Sequence, residues 1–208
     1  MLLSHMLNIG FDFDGVILDT ERPYRFAFQS YCFFELGILP SRRVHRFTNY
    51  NFDMPREQSL DIEKVLSPIA TKNAIFMAGV TEILPRLRER GHKLYIVTAR
   101  GKPGFEFEIP TARARIDELE QILGFKFDGE FWGQNKVTVC KDHNIPILID
   151  DDDINCAKTS AAGIYTLYFR EKYSQKLPQS EHLIEVDGYM NIYHEILRLE
   201  KDLTQNNV

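Results

Sequence analysis

The stretch Leu7-Asn8-Ile9-Gly10-Phe11-Asp12-Phe13-Asp14-Gly15-Val16 constrains this chain more than any other. An apolar run ends in two aspartates two residues apart, and a glycine follows. Read as a strand, the run alternates between two faces with period 2, and Asp12 and Asp14 emerge at its C-terminal end, close enough to share one cation. Gly15 permits a turn where a Cβ would strain the backbone. In open α/β sheets ligands bind at the carboxyl ends of strands, so a site is predicted here. A plain strand with an Asp-rich turn has the same local pattern, and the rest of the chain decides between the two.

The 208 residues suffice for one sizeable core with a small inserted domain. At 44% hydrophobic and 26% charged, the chain has the profile of a soluble globular protein. A net charge of −5 gives no support to a nucleic-acid polymer or a membrane surface as partner. An anionic substrate would need local basic groups or a metal to overcome that field. Cys32, Cys140 and Cys156 are odd in number and lack metal-type spacing, which predicts free, buried thiols in a reducing, cytoplasmic compartment. No apolar run is long enough to span a bilayer, and Met1–Met6 has neither the charged nor the apolar region of a signal peptide.

Thr20 to Leu36 reads as a helix that stops at Gly37. Its aromatics Tyr24, Phe26, Phe28, Tyr31, Phe33 and Phe34 are too many for one core-facing stripe, so some must face another helix or a ligand cleft. Pro40 to Pro55 is irregular, with Arg42, Arg43, His45 and Arg46 forming either a solvated face or a patch for an anion. Ser59 to Leu66 predicts a short helix ending at Ser67-Pro68. Residues 20–75 are therefore read as a mainly helical cap inserted after the first strand, with 1–19 and 76–208 as the core.

Val80, Ile83, Leu84 and Leu87 recur at helical spacing, and Gly91 is placed to end that helix. Lys93 to Val97 is a buried strand with Thr98 to Gly101 as its exit loop. The loop up to Pro110, with Gly101, Pro103 and Gly104, reads as mobile. Thr111 is the N-cap of a helix that runs to Leu123 and stops at Gly124. A strand at Asp128 to Trp132, a helix from Lys136 to His143 and a strand at Ile145 to Ile149 follow. Next come a small-residue helix, Asn155 to Ala162, and a last strand, Ile164 to Phe169. A closing helix spans about Asp187 to Leu203. This alternation predicts an α/β fold with a mostly parallel sheet covered on both sides.

Four strands then end in polar residues of a matching kind: Asp12 and Asp14, Thr98, Lys136, and Asp150 with Asp151. In a parallel sheet these ends share one edge. Packed carboxylates repel one another unless protonated or neutralised. A hard divalent cation, typically Mg²⁺ with few protein ligands, is the usual solution. A hydroxyl and an ammonium beside it suit phosphoryl oxygens. The chemistry implied is phosphoryl transfer.

Asp12-x-Asp14-Gly15-Val16, Thr98, Lys136 and Asp150-Asp151 resemble, in order and context, the four motifs of the haloacid dehalogenase superfamily. The resemblance covers roughly residues 7–169. It implies a Rossmann-like sheet of strand order 5-4-1-2-3 with a cap between the first two motifs. It implies Asp12 as the nucleophile that forms an aspartyl-phosphate and Asp14 as general acid and base. Asp12, the Asp14 backbone carbonyl and Asp150 would bind Mg²⁺, with Asp151 supporting from behind. Thr98 and Lys136 would hold the phosphate. Lys141, further along the same helix, competes with Lys136 for that role.

Within the superfamily the chain looks most like the small-capped 5′-nucleotidases, through Ile96-Val97-Thr98-Ala99-Arg100, Lys136-x-x-x-Cys140-Lys141 and Ile149-Asp150-Asp151. That implies a nucleoside monophosphate as substrate. Arg100, Phe28, Tyr31 and Arg46 are candidate substrate contacts, and Phe26 or Phe47 could also stack on a base. The same rings could instead pack the cap. A sugar-phosphate phosphatase or phosphomutase of the same superfamily is the alternative, while a dehalogenase would not need Asp14 and a metal in these roles. A phospho-accepting receiver domain places its second acidic group before Thr and Lys, the reverse of the order here. A non-catalytic phosphate-binding regulator on this fold would not need every catalytic residue type.

Overall fold

The computed structural model describes residues 6–37, 55–169 and 176–205. In chain order the first elements are β1 (Asn8–Phe11), β2 (Leu18–Asp19), α1 (Glu21–Leu36), α2 (Arg56–Asn73), β3 (Ile75–Phe76), α3 (Val80–Glu89) and β4 (Lys93–Thr98). There follow α4 (Ile109–Leu123), β5 (Gly129–Trp132), α5 (Lys136–Asp142), β6 (Ile147–Asp150), α6 (Asp153–Ala161), β7 (Tyr165–Phe169), β8 (Leu183–Val186) and α7 (Tyr189–Gln205). Six strands form one sheet in the order β5-β4-β1-β6-β7-β8, every neighbouring pair parallel.

The first strand lies inside this sheet because both of its faces are apolar. Ile9 and Phe11 point into the larger core, where Leu94, Ile96, Ile147 and Ile149 meet Val80, Ile83, Leu84 and Leu87 of α3 and Ile192, Ile196 and Leu199 of α7. Gly10 points to the opposite face, where Val97 and Leu148 pack on Val139 and Cys140 of α5. A Cβ at Gly10 would lie 3.1 Å from the side chains of both Leu148 and Val97, tighter than ordinary packing, so a larger residue would push these neighbours aside. The alternation of one strand thus divides the interior into two clusters.

The insertion between β2 and β3 has its own small core. Phe28 and Cys32 of α1 pack on Ile62 and Leu66 of α2. Gly37, in the left-handed region at φ 65°, ends α1 as its position in the sequence indicates. The chain leaves and returns through the antiparallel pair β2 and β3, with Leu18 opposite Phe76. This short pair carries no sequence signal beyond two residues on each side.

Three local expectations change. The helix predicted to stop at Ser67-Pro68 runs on to Asn73 with Pro68 inside it. Buried Ala70 and Thr71 beyond the proline outweigh its lost hydrogen bond. Helix α4 begins at Ile109, ahead of the Thr111 cap, because Pro110 in the first turn needs no donor there; a short 3₁₀ turn at Glu106–Glu108 leads into it. The strand ending at Phe169 is followed by β8, a half-exposed edge strand whose alternation is too weak to read. The three cysteines are free and buried, as the sequence predicts. Among the described residues no helix is long and apolar enough to cross a membrane.

Candidate active site

The carboxyl ends of β1 and β6 and the start of α5 converge on one point, and β4 ends on the same edge beside β1. The Asp12 amide donates to the Ile149 carbonyl at 2.9 Å, which carries the β1–β6 ladder one residue past the strand. Asp12 Oδ1 accepts from the Phe13 amide at 2.7 Å, which turns Oδ2 toward Lys136. Lys136 opens α5, whose N-cap Asn135 accepts from the Val137 and Thr138 amides at 3.0 and 3.2 Å. From there Lys136 Nζ reaches Asp12 Oδ2 at 2.8 Å and Asp150 Oδ2 at 2.7 Å. Asp150 is fully buried at the end of β6, and its Oδ1 accepts from the Asp152 amide at 2.9 Å. Thr98, 1% exposed, ends β4.

Asp12, Asp150 and Asp151 each offer a carboxylate oxygen within 4.8 Å of the others. Gly15 makes this approach possible. It adopts φ +68°, and a Cβ there would collide with the Asp151 carboxylate. Asp151, which the resemblance puts behind the ligands, therefore turns its carboxylate toward the same point as Asp12 and Asp150. Burial pushes the Asp12 carboxyl up to about 7; Lys136 opposes this, while Asp150 and Asp14 add to it. Burial works against the Lys136 charge, but Asp12 and Asp150 outweigh it and raise its pKa. Three clustered carboxylates with one ammonium leave an excess of negative charge on an all-oxygen donor set. A hard divalent cation such as Mg²⁺ fits that set, held by Asp12, Asp150 and Asp151.

Asp14 lies outside this trio. Arg100 grips it through Nε to Oδ2 at 2.6 Å and Nη2 to Oδ1 at 2.7 Å. The Thr20 hydroxyl donates to Oδ1 at 2.6 Å. Burial raises the Asp14 carboxyl, but the Arg100 charge, its hydrogen bonds and the Thr20 hydroxyl prevail and hold it below the ordinary value. In this arrangement Asp14 is a carboxylate. Arg100, a candidate substrate contact from its sequence position, spends its fork on Asp14 instead.

The family model for haloacid dehalogenase-like hydrolases matches residues 9–114. The chain belongs to that family. No curated protein sequence matches it. Among solved structures, a haloacid dehalogenase-like family hydrolase from Streptococcus pneumoniae is similar with a TM-score of 0.65 and 20% identity, over 92% of this chain and 98% of its own. A protein from Thermotoga maritima named as a β-phosphoglucomutase gives 0.61 and 17%, over 93% and 99%. CbbY from Rhodobacter sphaeroides, crystallised with xylulose-1,5-bisphosphate, gives 0.58 and 14%, over 89% and 95%. At these identities the likeness is one of fold.

In this hydrolase the remaining candidates are scattered. Lys141 is exposed on the last turn of α5, so Lys136 alone of the two enters the cluster. Phe28 is fully buried between α1 and α2 and has no face to offer a base. Tyr31 borders a small cavity of about 220 Å³ with Leu36, Ile62, Val65 and Leu66. Phe26 is 74% exposed. Arg46, with Arg42, Arg43, His45 and Phe47, lies outside the described residues.

Sequence reasoning passed over two residues whose hydrogen bonds or charge act on Asp14 and Arg100. Thr20 looked like the start of a helix. Glu108 sits in a loop that matched nothing. Burial raises the Glu108 carboxyl even though Arg100 pulls it down, and Ser67 Oγ of α2 donates to it at 3.3 Å. A polar residue six positions after the second aspartate was the one available hint of Thr20.

Proposed function

We propose that this hydrolase is a Mg²⁺-dependent phosphomonoester hydrolase working through an aspartyl-phosphate on Asp12. The observation that carries the reading is the buried Asp12 carboxylate, bridged by Lys136 to Asp150 and met by Asp151. Asp12, Asp150, Asp151 and the Asp14 backbone carbonyl would hold Mg²⁺, which supplies charge neutralisation for the carboxylates and the phosphoryl group when bound.

An Asp12 oxygen attacks phosphorus, the bond from phosphorus to the leaving oxygen breaks, and that oxygen takes a proton from Asp14, which in the arrangement seen is a carboxylate paired with Arg100 and must first take up a proton from solvent. Water then attacks the aspartyl-phosphate and gives its proton to Asp14. The bond between phosphorus and Asp12 breaks, and inorganic phosphate leaves. Thr98 and Lys136 hold the phosphoryl oxygens. A phosphomutase would differ only in passing the phosphoryl group to a second hydroxyl in place of water.

The α1–α2 insertion serves as the cap and selects the substrate. The motif resemblance supports a nucleoside monophosphate. A sugar phosphate is supported as well, by the neighbours named for phosphoglucomutase and solved with xylulose bisphosphate and by the burial of Phe28. The test is kcat/KM on nucleoside monophosphates and on sugar phosphates, with Mg²⁺ and after EDTA, following inorganic phosphate. Hydrolysis that survives EDTA overturns the metal-dependent mechanism. Preference for sugar phosphates overturns the nucleotide reading alone.

A further inference from the structure

Seven residues make almost two full turns of a helix, so positions seven apart share a face. Helix α2 and the chain that enters α4 are tied at two points with that spacing on both sides. Ser67 Oγ donates to Glu108 Oε1 at 3.3 Å, and Arg115 Nη2 donates to the Ala74 carbonyl at 2.9 Å. Each tie joins residues 41 apart in the chain, so the last two turns of α2 run alongside the start of α4 in the same direction. The face of α2 between the ties is small and buried: Ser67, Ala70, Thr71 and Ala74 are each at most 7% exposed. Ala112, between Glu108 and Arg115, is fully buried as well. Small side chains raise only low ridges on a helix, which leaves the register to the polar ties at the two ends.

The tie at Arg115 is the shorter of the two, and a second contact stands beside it. Glu118, on the next turn of α4, pairs with the guanidinium and steadies it. While the edge of the guanidinium meets the Ala74 carbonyl, its face lies over the Phe76 ring, with Cζ 4.6 Å from the ring centre. Phe76 belongs to β3 and pairs with Leu18 of β2, where the chain leaves and returns. One flat cation thus holds the end of α2 and the returning arm of the insertion at once. It does so from a helix whose Ala112, Ile116 and Leu119 are anchored in the main core.

We infer that Arg115 is a positioning residue for substrate binding: by holding Ala74 and Phe76 it fixes where α2 lies along α4, and so where the insertion meets a substrate's leaving group. This rests on the proposed role of the insertion as the cap that selects the substrate. None of these contacts includes a residue of the carboxylate cluster, so the loss of Arg115 acts on recognition of the ester and leaves the chemistry at Asp12 in place.

The experiment compares Arg115→Met and Arg115→Lys with wild type. Steady-state kinetics are run on 5′-AMP and glucose 6-phosphate with Mg²⁺, and inorganic phosphate serves as a competitive inhibitor that meets the sheet edge alone. In Arg115→Met, KM for the better ester is expected to rise by roughly tenfold, the scale of one lost hydrogen bond with its ring contact. Turnover stays within about threefold, as when an interaction common to ground and transition states is removed, and Ki for phosphate stays within about twofold. Arg115→Lys keeps the charge without the flat face, and its KM is expected between those of wild type and Arg115→Met. An unchanged KM in Arg115→Met overturns the inference. So does a Ki for phosphate that rises with KM, which would put the damage at the edge, or a fall in kcat alone, which marks a smaller folded fraction. A lysine variant equal to wild type overturns it too, because charge alone would then suffice.

Amide exchange gives a readout that needs no turnover. Faster exchange at residues 67–77 in Arg115→Met, with α3 and α7 as in wild type, is the expected result. Unchanged exchange at 67–77 overturns the inference, and so does equal acceleration in α3, because the whole fold would then have loosened. A wild type that hydrolyses neither ester overturns the phosphatase reading, and exchange at 67–77 still decides whether Arg115 holds α2.

Discussion

The carboxyl edge of the sheet and the α1–α2 insertion are built in opposite ways. At the edge, Asp12, Thr98, Lys136 and Asp150 come from four separate elements, each at most 6% exposed and each fixed by a strand end or a helix cap. The insertion rests on Phe28, Cys32, Ile62 and Leu66, while Phe26, Phe34, Val65 and Ile69 of the same two helices are more than half exposed. The difference separates two tasks. Chemistry common to any phosphate ester needs groups held without freedom. Under the proposed function, choice among esters falls to the insertion, whose small buried core lets it open at low cost.

The largest effect expected is on turnover. Asp12→Asn should remove the proposed nucleophile and lower kcat by on the order of 10²-fold or more. Because the change leaves the insertion's core untouched, amide exchange in α1 and α2 should match wild type. Near-normal turnover would break the assignment of Asp12. Faster exchange in α1 would show that the two regions are less separate than their packing indicates.

The comparison sharpens through two truncations. Phe28→Ala removes a fully buried ring of the insertion, and Leu84→Ala removes a fully buried residue of the main core. Each should cost about 2–5 kcal/mol. The Leu84 variant should lose it as a lower global melting temperature. The Phe28 variant should instead show faster exchange confined to residues 21–36 and 56–73. A global loss in both would mean that insertion and core unfold together.

Much of the edge was legible in the sequence because strand ends in a parallel sheet are collinear. An apolar run followed by Asp or Thr marks both the strand and its exit, which placed Asp12, Thr98 and Asp150 on that edge, while Lys136, at the start of α5, was read from the order of the motifs. What failed to show depends on long-range approach. Arg100 and Asp14 are 86 residues apart, and nothing local to either marks the other. The Asp151 carboxylate turns toward the cluster because Gly15, on a different strand's exit, leaves room for it. Pro68 read as a stop because propensity is local, whereas the burial of Ala70 and Thr71 is not. The strand β8 is short and half exposed, so periodicity gave it no signature.

Mg²⁺ should act on the edge alone. A cation at Asp12, Asp150 and Asp151 stabilises the folded state by about 2.7 kcal/mol when present at a hundred times its Kd. For a domain of this size that raises the melting temperature by roughly 5–10 °C. The shift should vanish with EDTA and shrink in Asp150→Asn. Protection from exchange should rise at the ends of β1 and β6 and stay unchanged in α1 and α2. A rise spread over the insertion would mean that the ion also orders the cap.

The smallest effect tests the seam between the two regions. Tyr189 opens α7, and its buried hydroxyl donates to the Val16 carbonyl at 2.8 Å. Val16 lies between Asp14 and β2, and the next residue, Ile17, accepts from the Met77 amide at 3.0 Å on the returning strand side. The ring is held in place by an edge-on contact with Phe169 at 6.0 Å and by close packing on Gly79, where a Cβ would approach the Tyr189 Cβ to 2.6 Å. The last helix of the chain thus braces the root of the insertion against the sheet. Tyr189→Phe keeps the ring and removes one hydrogen bond, which should cost about 1 kcal/mol. That corresponds to a melting temperature lower by roughly 2–4 °C. Faster exchange is expected near residues 15–20 and 75–79, on both sides of the seam. Because the root carries both regions, turnover and insertion exchange should shift together here, unlike in Asp12→Asn or Phe28→Ala. If the melting temperature falls while exchange near Val16 and Met77 does not change, the brace belongs to the core alone and the insertion hangs independently of α7.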